Sequence, residues 1–157
     1  GTEGKELEGL INSQDIMPTM LGLCGVEIPV SVEGLDYSDY LRGGENPGDD
    51  AALLSCVSPF GQFTREMGGR EFRGVRTRRY TFVRSLDGPW LLYDNEMDPY
   101  QLENLCGRPE HTELQSELDT LLDKKLEEAN DEFLPGEEYI RRWGYKVDET
   151  GTVGYRN

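Results

Sequence analysis

Apolar residues along the chain gather in four short blocks and one long stripe, separated by segments rich in glycine, proline and acid. The first block, Ile16-Met17-Pro18-Thr19-Met20-Leu21-Gly22-Leu23-Cys24, is apolar on most sides and predicts a short helix. Asp15 stands where an N-cap would accept from first-turn amides. Pro18 is tolerated there because those amides have no helical partner. Gly25 suits the left-handed residue that ends a helix. A two-turn helix with so little polar surface predicts burial against something larger. Residues 25–50 read as loop, with Leu35, Tyr37, Tyr40 and Leu41 anchoring one irregular turn.

Ala51–Val57 is an apolar run of strand length stopped by Pro59, followed by a glycine-containing connection over residues 60–71. The stretch from Phe72 to Arg84 reads as one long strand. One face carries Phe72, Arg76, Arg78, Tyr80 and Phe82, the other Val75, Thr77, Thr81 and Val83. Apolar groups on both faces predict a sheet covered by a helix on one side and partly by more protein on the other. Trp90–Asp94 is a further strand, joined to the first through Leu86-Asp87-Gly88-Pro89 as an antiparallel hairpin. From Pro109 to about Ala129, Leu114, Leu118, Leu121, Leu122 and Leu126 fall on one helical stripe, which supplies the covering helix. The expected fold class is therefore α+β: a small antiparallel sheet of three to four strands packed on a long C-terminal helix, plus the short N-terminal apolar helix. Residues 130–157 form a tail. Its Tyr139, Trp143 and Tyr145 predict docking as far as Tyr145, with the chain fraying from about Asp148.

Charge narrows the function classes. The 157 residues carry 16 basic and 31 acidic side chains, a formal net charge of −15. Residues 1–50 hold 2 basic and 11 acidic groups, residues 51–99 hold 7 and 6, and residues 100–157 hold 7 and 14. Only Arg65–Arg84, with seven arginines against Glu66 and Glu71, has the basic character that phosphate binding needs, and the overall field repels polyanions. No nucleic-acid partner is expected, and these arginines are expected to pair with the excess acid. No run approaches the ~18 apolar residues of a membrane span, so no membrane partner is expected. The first residues carry neither the basic nor the apolar region of a signal peptide, and they do not begin with Met.

Candidate chemistry is sparse. Cys24, Cys56 and Cys106 are far apart, odd in number and without C-x-x-C spacing, so they read as buried or half-buried thiols rather than zinc ligands. His111 is the sole histidine and lies in a polar turn. Adjacent acids such as Asp49-Asp50, Glu127-Glu128 and Glu137-Glu138 read as solvated surface. No phosphate loop, H-E-x-x-H or dinucleotide fingerprint is present. The residues alone describe an acidic α+β piece without catalytic or metal residues.

Three stretches taken together resemble a family. Asp15-Ile16-Met17-Pro18-Thr19-Met20-Leu21-Gly22-Leu23-Cys24-Gly25 is similar to the D-[IL]-x-P-T-[LI]-L-x-L-x-G helix found late in sulfatases. Arg73-Gly74-Val75-Arg76-Thr77-Arg78-Arg79-Tyr80-Thr81-Phe82 resembles their R-x-V-R-T-x-R-Y-K-Y strand. Residues 90–105 resemble x-x-L-Y-D-L-x-x-D-P-x-E-x-x-N-L, with Asp94, Asp98-Pro99 and Asn104-Leu105 at the matching places. The match runs over about residues 10–129. Gln101 replaces the family's Glu, and Thr81 its strand Lys.

The resemblance implies a sulfuric ester hydrolase of the alkaline-phosphatase superfamily, with a formylglycine nucleophile and calcium. The family's C-x-P-x-R or S-x-P-x-R motif is absent here. The chain is therefore expected to be the C-terminal part of such an enzyme, with nucleophile and calcium ligands in a missing N-terminal part, and to be inactive by itself. Residues 1–50 would close the large α/β domain, 51–134 would form the C-terminal subdomain, and 135–157 the tail. The expected partners are the missing catalytic domain and, for the parent, a sulfated small molecule or glycan. Self-association through exposed apolar surface is a further expectation. Arg76 and Arg79 are the candidate substrate contacts, as donors to a sulfated sugar. The competing reading is a non-catalytic protein-interaction module.

Overall fold

The computed structural model describes residues 4–59 and 63–148; the end expected to fray lies almost wholly outside them. Contacts divide the chain into two units, Gly1–Ala52 and Leu53–Asn157.

In the first unit a single 3-10 turn at Ser13–Asp15 runs into helix α1, Ile16–Cys24, and a four-residue helix α2 follows at Ser38–Leu41. Asp15 does not cap α1 with its side chain as expected. Its buried carboxylate instead accepts the amides of Asn12 and Leu35, both at 2.8 Å. Thr19 works beside it: its hydroxyl accepts the Tyr37 amide at 3.0 Å, and Tyr37 in turn donates its hydroxyl to the Leu10 carbonyl at 2.6 Å. The D-x-x-P-T signature is thus a polar clamp on loop backbone, which would otherwise be buried without partners. Gly25 closes α1 in the left-handed conformation (φ 67°), and the Val26 amide reaches back to the Leu21 carbonyl at 2.9 Å. Because the clamp uses the Asp15–Thr19 side, the apolar residues Ile16, Met17, Met20 and Leu23 remain exposed.

The sheet has four strands in the order β1 (Ala51–Cys56), β2 (Phe72–Thr77), β3 (Tyr80–Ser85) and β4 (Gly88–Asp94), with β2–β3 and β3–β4 antiparallel. The single long strand expected over Phe72–Arg84 is two strands joined by Arg78-Arg79. Neither residue is a usual turn former, so composition gives no warning. Thr77 makes the turn instead: its hydroxyl accepts the Tyr80 amide at 2.8 Å. The break reverses side-chain parity. Val75 pairs across the turn with Phe82, and Phe82 with Leu92, so all three share one face. The turn changes which residues share a face, but both faces of β3 are covered: Phe82 is buried on one side, and Thr81, Val83 and Ser85 on the other. A bulge falls between Val83 and Arg84, where Trp90 is left unpaired between Pro89 and Leu91.

Helix α3, Thr112–Glu128, follows a 3-10 turn at Pro109–His111 and covers that face. Val75, Phe82, Leu92, Leu118, Leu122 and Leu126 form the core, with Leu114 and Leu121 half-buried at its margin. Helix α4, Gly136–Trp143, is the last helix among the described residues. Tyr139 is buried, as docking of the tail requires, but Trp143 and Tyr145 are more than half exposed. The aromatic anchor therefore ends at Tyr139; Trp143 packs on it with ring centres 5.2 Å apart, and Tyr145 meets Trp143 edge-on at 6.1 Å. No helix among the described residues is long and apolar enough to cross a membrane.

Candidate functional site

The arginine-rich hairpin is where charge, geometry and the candidate contacts meet. Arg84 binds Asp119 at 2.9 Å and Asp123 at 2.7 Å, tying β3 to α3. Arg65 binds the buried Glu71 carboxylate, which also accepts the Gly136 amide at 2.9 Å. Burial by itself pushes the Glu71 carboxyl up, but the Gly136 amide and Arg65 guanidinium hold it below the usual range.

Arg73, like Glu71, is only 1 % exposed. Its guanidinium donates to both oxygens of Asp131, to the Cys56 and Phe72 carbonyls at 3.2 and 3.0 Å, and to the Tyr139 hydroxyl at 3.4 Å. It also lies 4.9 Å from the Phe133 ring centre. Burial pushes Asp131 up, yet Arg73, the Phe133 amide and the Tyr139 hydroxyl together hold it below the usual carboxylate range. Every donor of this group faces the protein's own acceptors, so Arg73 fastens the segment from Asp131 to Tyr139 onto the sheet.

The two candidate contacts fare differently. Arg79 grips Asp94 with two nitrogens, Nε at 3.0–3.1 Å and Nη2 at 2.7 Å, and Glu96 stands 3.7 Å away. That hydrogen bonding raises Arg79 and lowers Asp94. Its charge is already matched. Arg76 is half-buried and donates Nη1 to the Thr81 hydroxyl and the Asn95 side-chain oxygen, both at 2.8 Å. Both partners are neutral, and among the described residues Arg76 has no carboxylate on it.

Sequence reasoning missed the set that holds Arg76. Thr81 is its cross-strand partner and Tyr93 is the next residue across the sheet. Asn95 follows β4, and Gln101 donates its amide to Thr81 at 3.1 Å and Asn95 at 2.8 Å. Gln101 has φ 54°, a left-handed conformation costing about 1–2 kcal/mol for a residue with a Cβ. Its two side-chain bonds hold it there. The two departures from the sulfatase pattern, Thr81 and Gln101, therefore touch each other: a charged Lys and Glu are replaced together by a neutral pair. The signal that could have found them is this coincidence of two departures.

Burial raises Cys56 and Cys106, which keeps them protonated. Cys24, expected to be buried or half-buried, is exposed because it lies on the uncovered part of α1. Among the described residues no group of three or more His, Cys, Asp or Glu side chains could hold a metal ion. The calcium of the resemblance finds no such group among the described residues, and the sequence lacks the C-x-P-x-R or S-x-P-x-R motif of a formylglycine precursor. A cleft beside α4, lined by Ser58, Thr64, Arg65, Glu137, Arg141 and Tyr145, has both of its guanidiniums engaged by carboxylates.

Comparison with known proteins bears on this arrangement. The family profile described as N-sulphoglucosamine sulphohydrolase, C-terminal, matches residues 2–129. An ulvan-active sulfatase of Formosa agariphila is 39% identical over 146 residues, covering 91% of this chain and 27% of that protein. A solved structure of a 2-O GAG sulfatase superposes with a TM-score of 0.61 at 26% identity, over 85% of this chain and 26% of the other. Another, solved in complex with its substrate D-glucosamine-2-N,6-O-disulfate, gives a TM-score of 0.63 at 26% identity, over 79% of this chain and 25% of the other. The chain spans about a quarter of the length of these relatives.

Proposed function

The chain belongs to the N-sulphoglucosamine sulphohydrolase C-terminal family, and from that premise we propose that it is the C-terminal part of an enzyme that hydrolyses sulfate esters of a glycan. The observation that carries this reading is the family match over residues 2–129 in a chain spanning 27% of its ulvan-active relative. The formylglycine nucleophile and the calcium ligands would lie in the part of the parent that precedes this sequence. This part would form one wall of the substrate cleft. The test is turnover of an aryl sulfate. The 157-residue chain is expected to show none, with or without calcium, and the parent with its preceding sequence to show it. Turnover by the pure chain, or none by the calcium-loaded parent on any sulfate ester, would sink the reading.

Arg76 is the residue this reading would bring to substrate. Its guanidinium is oriented by Thr81 and Asn95 but not neutralised, so it can still donate to a sulfate or carboxylate of the sugar. Arg79, held by Asp94, would position the turn rather than the ligand. In the parent, Arg76→Gln is expected to lower kcat/KM for a sulfated oligosaccharide by roughly 10–100-fold, the worth of a hydrogen bond to a charged group. The loss should fall mainly on KM. An unchanged KM would remove Arg76 from the substrate site.

A further inference from the structure

The loop after β4 presents three large apolar side chains to solvent within six residues: Met97 at 79% exposure, Tyr100 at 82% and Leu102 at 85%. This is not slack chain. The Asp94 carboxylate takes the amides of Glu96 and Met97 at 3.2 and 3.3 Å, and the Asp98 amide returns to the Asp94 carbonyl at 2.7 Å. Asp98 then takes the Glu103 amide at 2.7 Å. Asn104 bridges β4, accepting the Leu92 amide and donating to the Trp90 carbonyl, both at 3.0 Å. The left-handed Gln101, pinned inward to Thr81 and Asn95, leaves Tyr100 and Leu102 outward on either side of it. A backbone held this firmly in order to expose apolar groups is built as a contact surface.

Charge selects the occupant. Glu96, Asp98 and Glu103 flank the three side chains as a rim, with Glu96 3.7 Å from Arg79 and Glu103 bound to Arg108 at 2.6 Å, so repulsion between copies rests on the whole chain's charge of −15. A second copy would bring the same rim and the same excess charge against itself, and a sulfated glycan would bring more negative charge still. The relatives carry about three quarters of their length outside the part this chain matches. We propose that Met97, Tyr100 and Leu102 seat in an apolar recess with a neutral or basic rim on the preceding, catalytic part of the parent protein, so that this loop is a principal contact between the two. This rests on the reading of the chain as a sulfatase C-terminal part.

The test is methionine oxidation by dilute hydrogen peroxide, mapped by mass spectrometry. It is run on the 157-residue chain and on the native, active parent. Met67, 70% exposed and outside the proposed contact, reports reagent access in both. Met97 is expected to oxidise as readily as Met67 in the chain and at least several-fold more slowly in the parent. In parallel, Leu102→Glu should leave the melting temperature of the chain unchanged and lower that of the parent. Equal Met97 oxidation in chain and active parent would overturn the proposal while leaving the sulfatase reading intact. An inactive parent would instead count against that reading, whatever Met97 does. Protection of Met97 that grows with the concentration of the chain alone would assign the surface to self-association and overturn the proposal too.

Discussion

Arg73→Ala is expected to destabilise the protein by about 3–5 kcal/mol, because it leaves the Asp131 carboxylate without its counter-charge in a site shared with Tyr139 and Phe133. For a chain of this size that is a fall in Tm of roughly 6–20 °C, read by circular dichroism. The loss includes the anchor of the segment leading into α4, so limited proteolysis should cut near residues 131–136 before the sheet unfolds. Replacing both partners, Arg73→Met with Asp131→Leu, should cost less than Arg73→Ala alone, since no charge is then stranded. Equal losses would show that lost packing, not the stranded carboxylate, sets the cost. The pH dependence has a definite sign. Asp131 and Glu71 are both held below their unfolded values. Each contributes stability that is fully present above the ordinary carboxylate range, about pH 4, and is lost as pH falls through the lower folded value. Asp131→Asn should flatten the acid limb of the stability curve, and an unchanged limb would remove Asp131 from its cause.

Phe82→Ala should cost about 3–5 kcal/mol by emptying the centre of the sheet–helix core. Phe82 is fully buried between Val75 on β2 and Leu92 on β4, with Leu118, Leu122 and Leu126 of α3 above. The same residue also tests the turn at Arg78-Arg79. In a single strand over 72–84, Val75 and Phe82 would point to opposite faces, and their truncations would be nearly additive. In the hairpin they touch the same cavity, so Val75→Ala with Phe82→Ala should depart from additivity by about 0.5–3 kcal/mol in a double-mutant cycle of urea unfolding. Additive losses would contradict the pairing.

Arg79 and Arg76 show why sequence proximity is a poor guide to role. They stand three residues apart in one basic run, yet one meets a carboxylate and the other neutral oxygens. The partners that separate them, Asp94, Asn95 and Gln101, come from the end of β4 and the loop beyond it. Their approach depends on the hairpin register, which no local pattern around Arg76 encodes.

The sequence by itself determined the long helix, the strands β1 and β4 and the family. The leucine stripe of α3 needs only the 3.6-residue period. The β3–β4 hairpin is marked by Gly88 and Pro89, which the structure places at the start of β4 rather than in the turn, and the three motifs keep their order and intervals. It also contained the acidic excess that ends on most of the arginines. Tertiary structure alone decided the break at Arg78-Arg79, because that turn is closed by the Thr77 side chain and by Asp94 on another strand rather than by turn-forming residues. It decided that Asp15 and Thr19 clamp a loop across nearly twenty residues, and that Asp15 caps the Ser13–Asp15 turn through the Asn12 amide rather than α1 itself. It decided that Arg73 meets Asp131 while Arg76 meets neutral oxygens among the described residues. These outcomes depend on which groups distant segments bring to a side chain, and a one-dimensional pattern records the groups without their meeting.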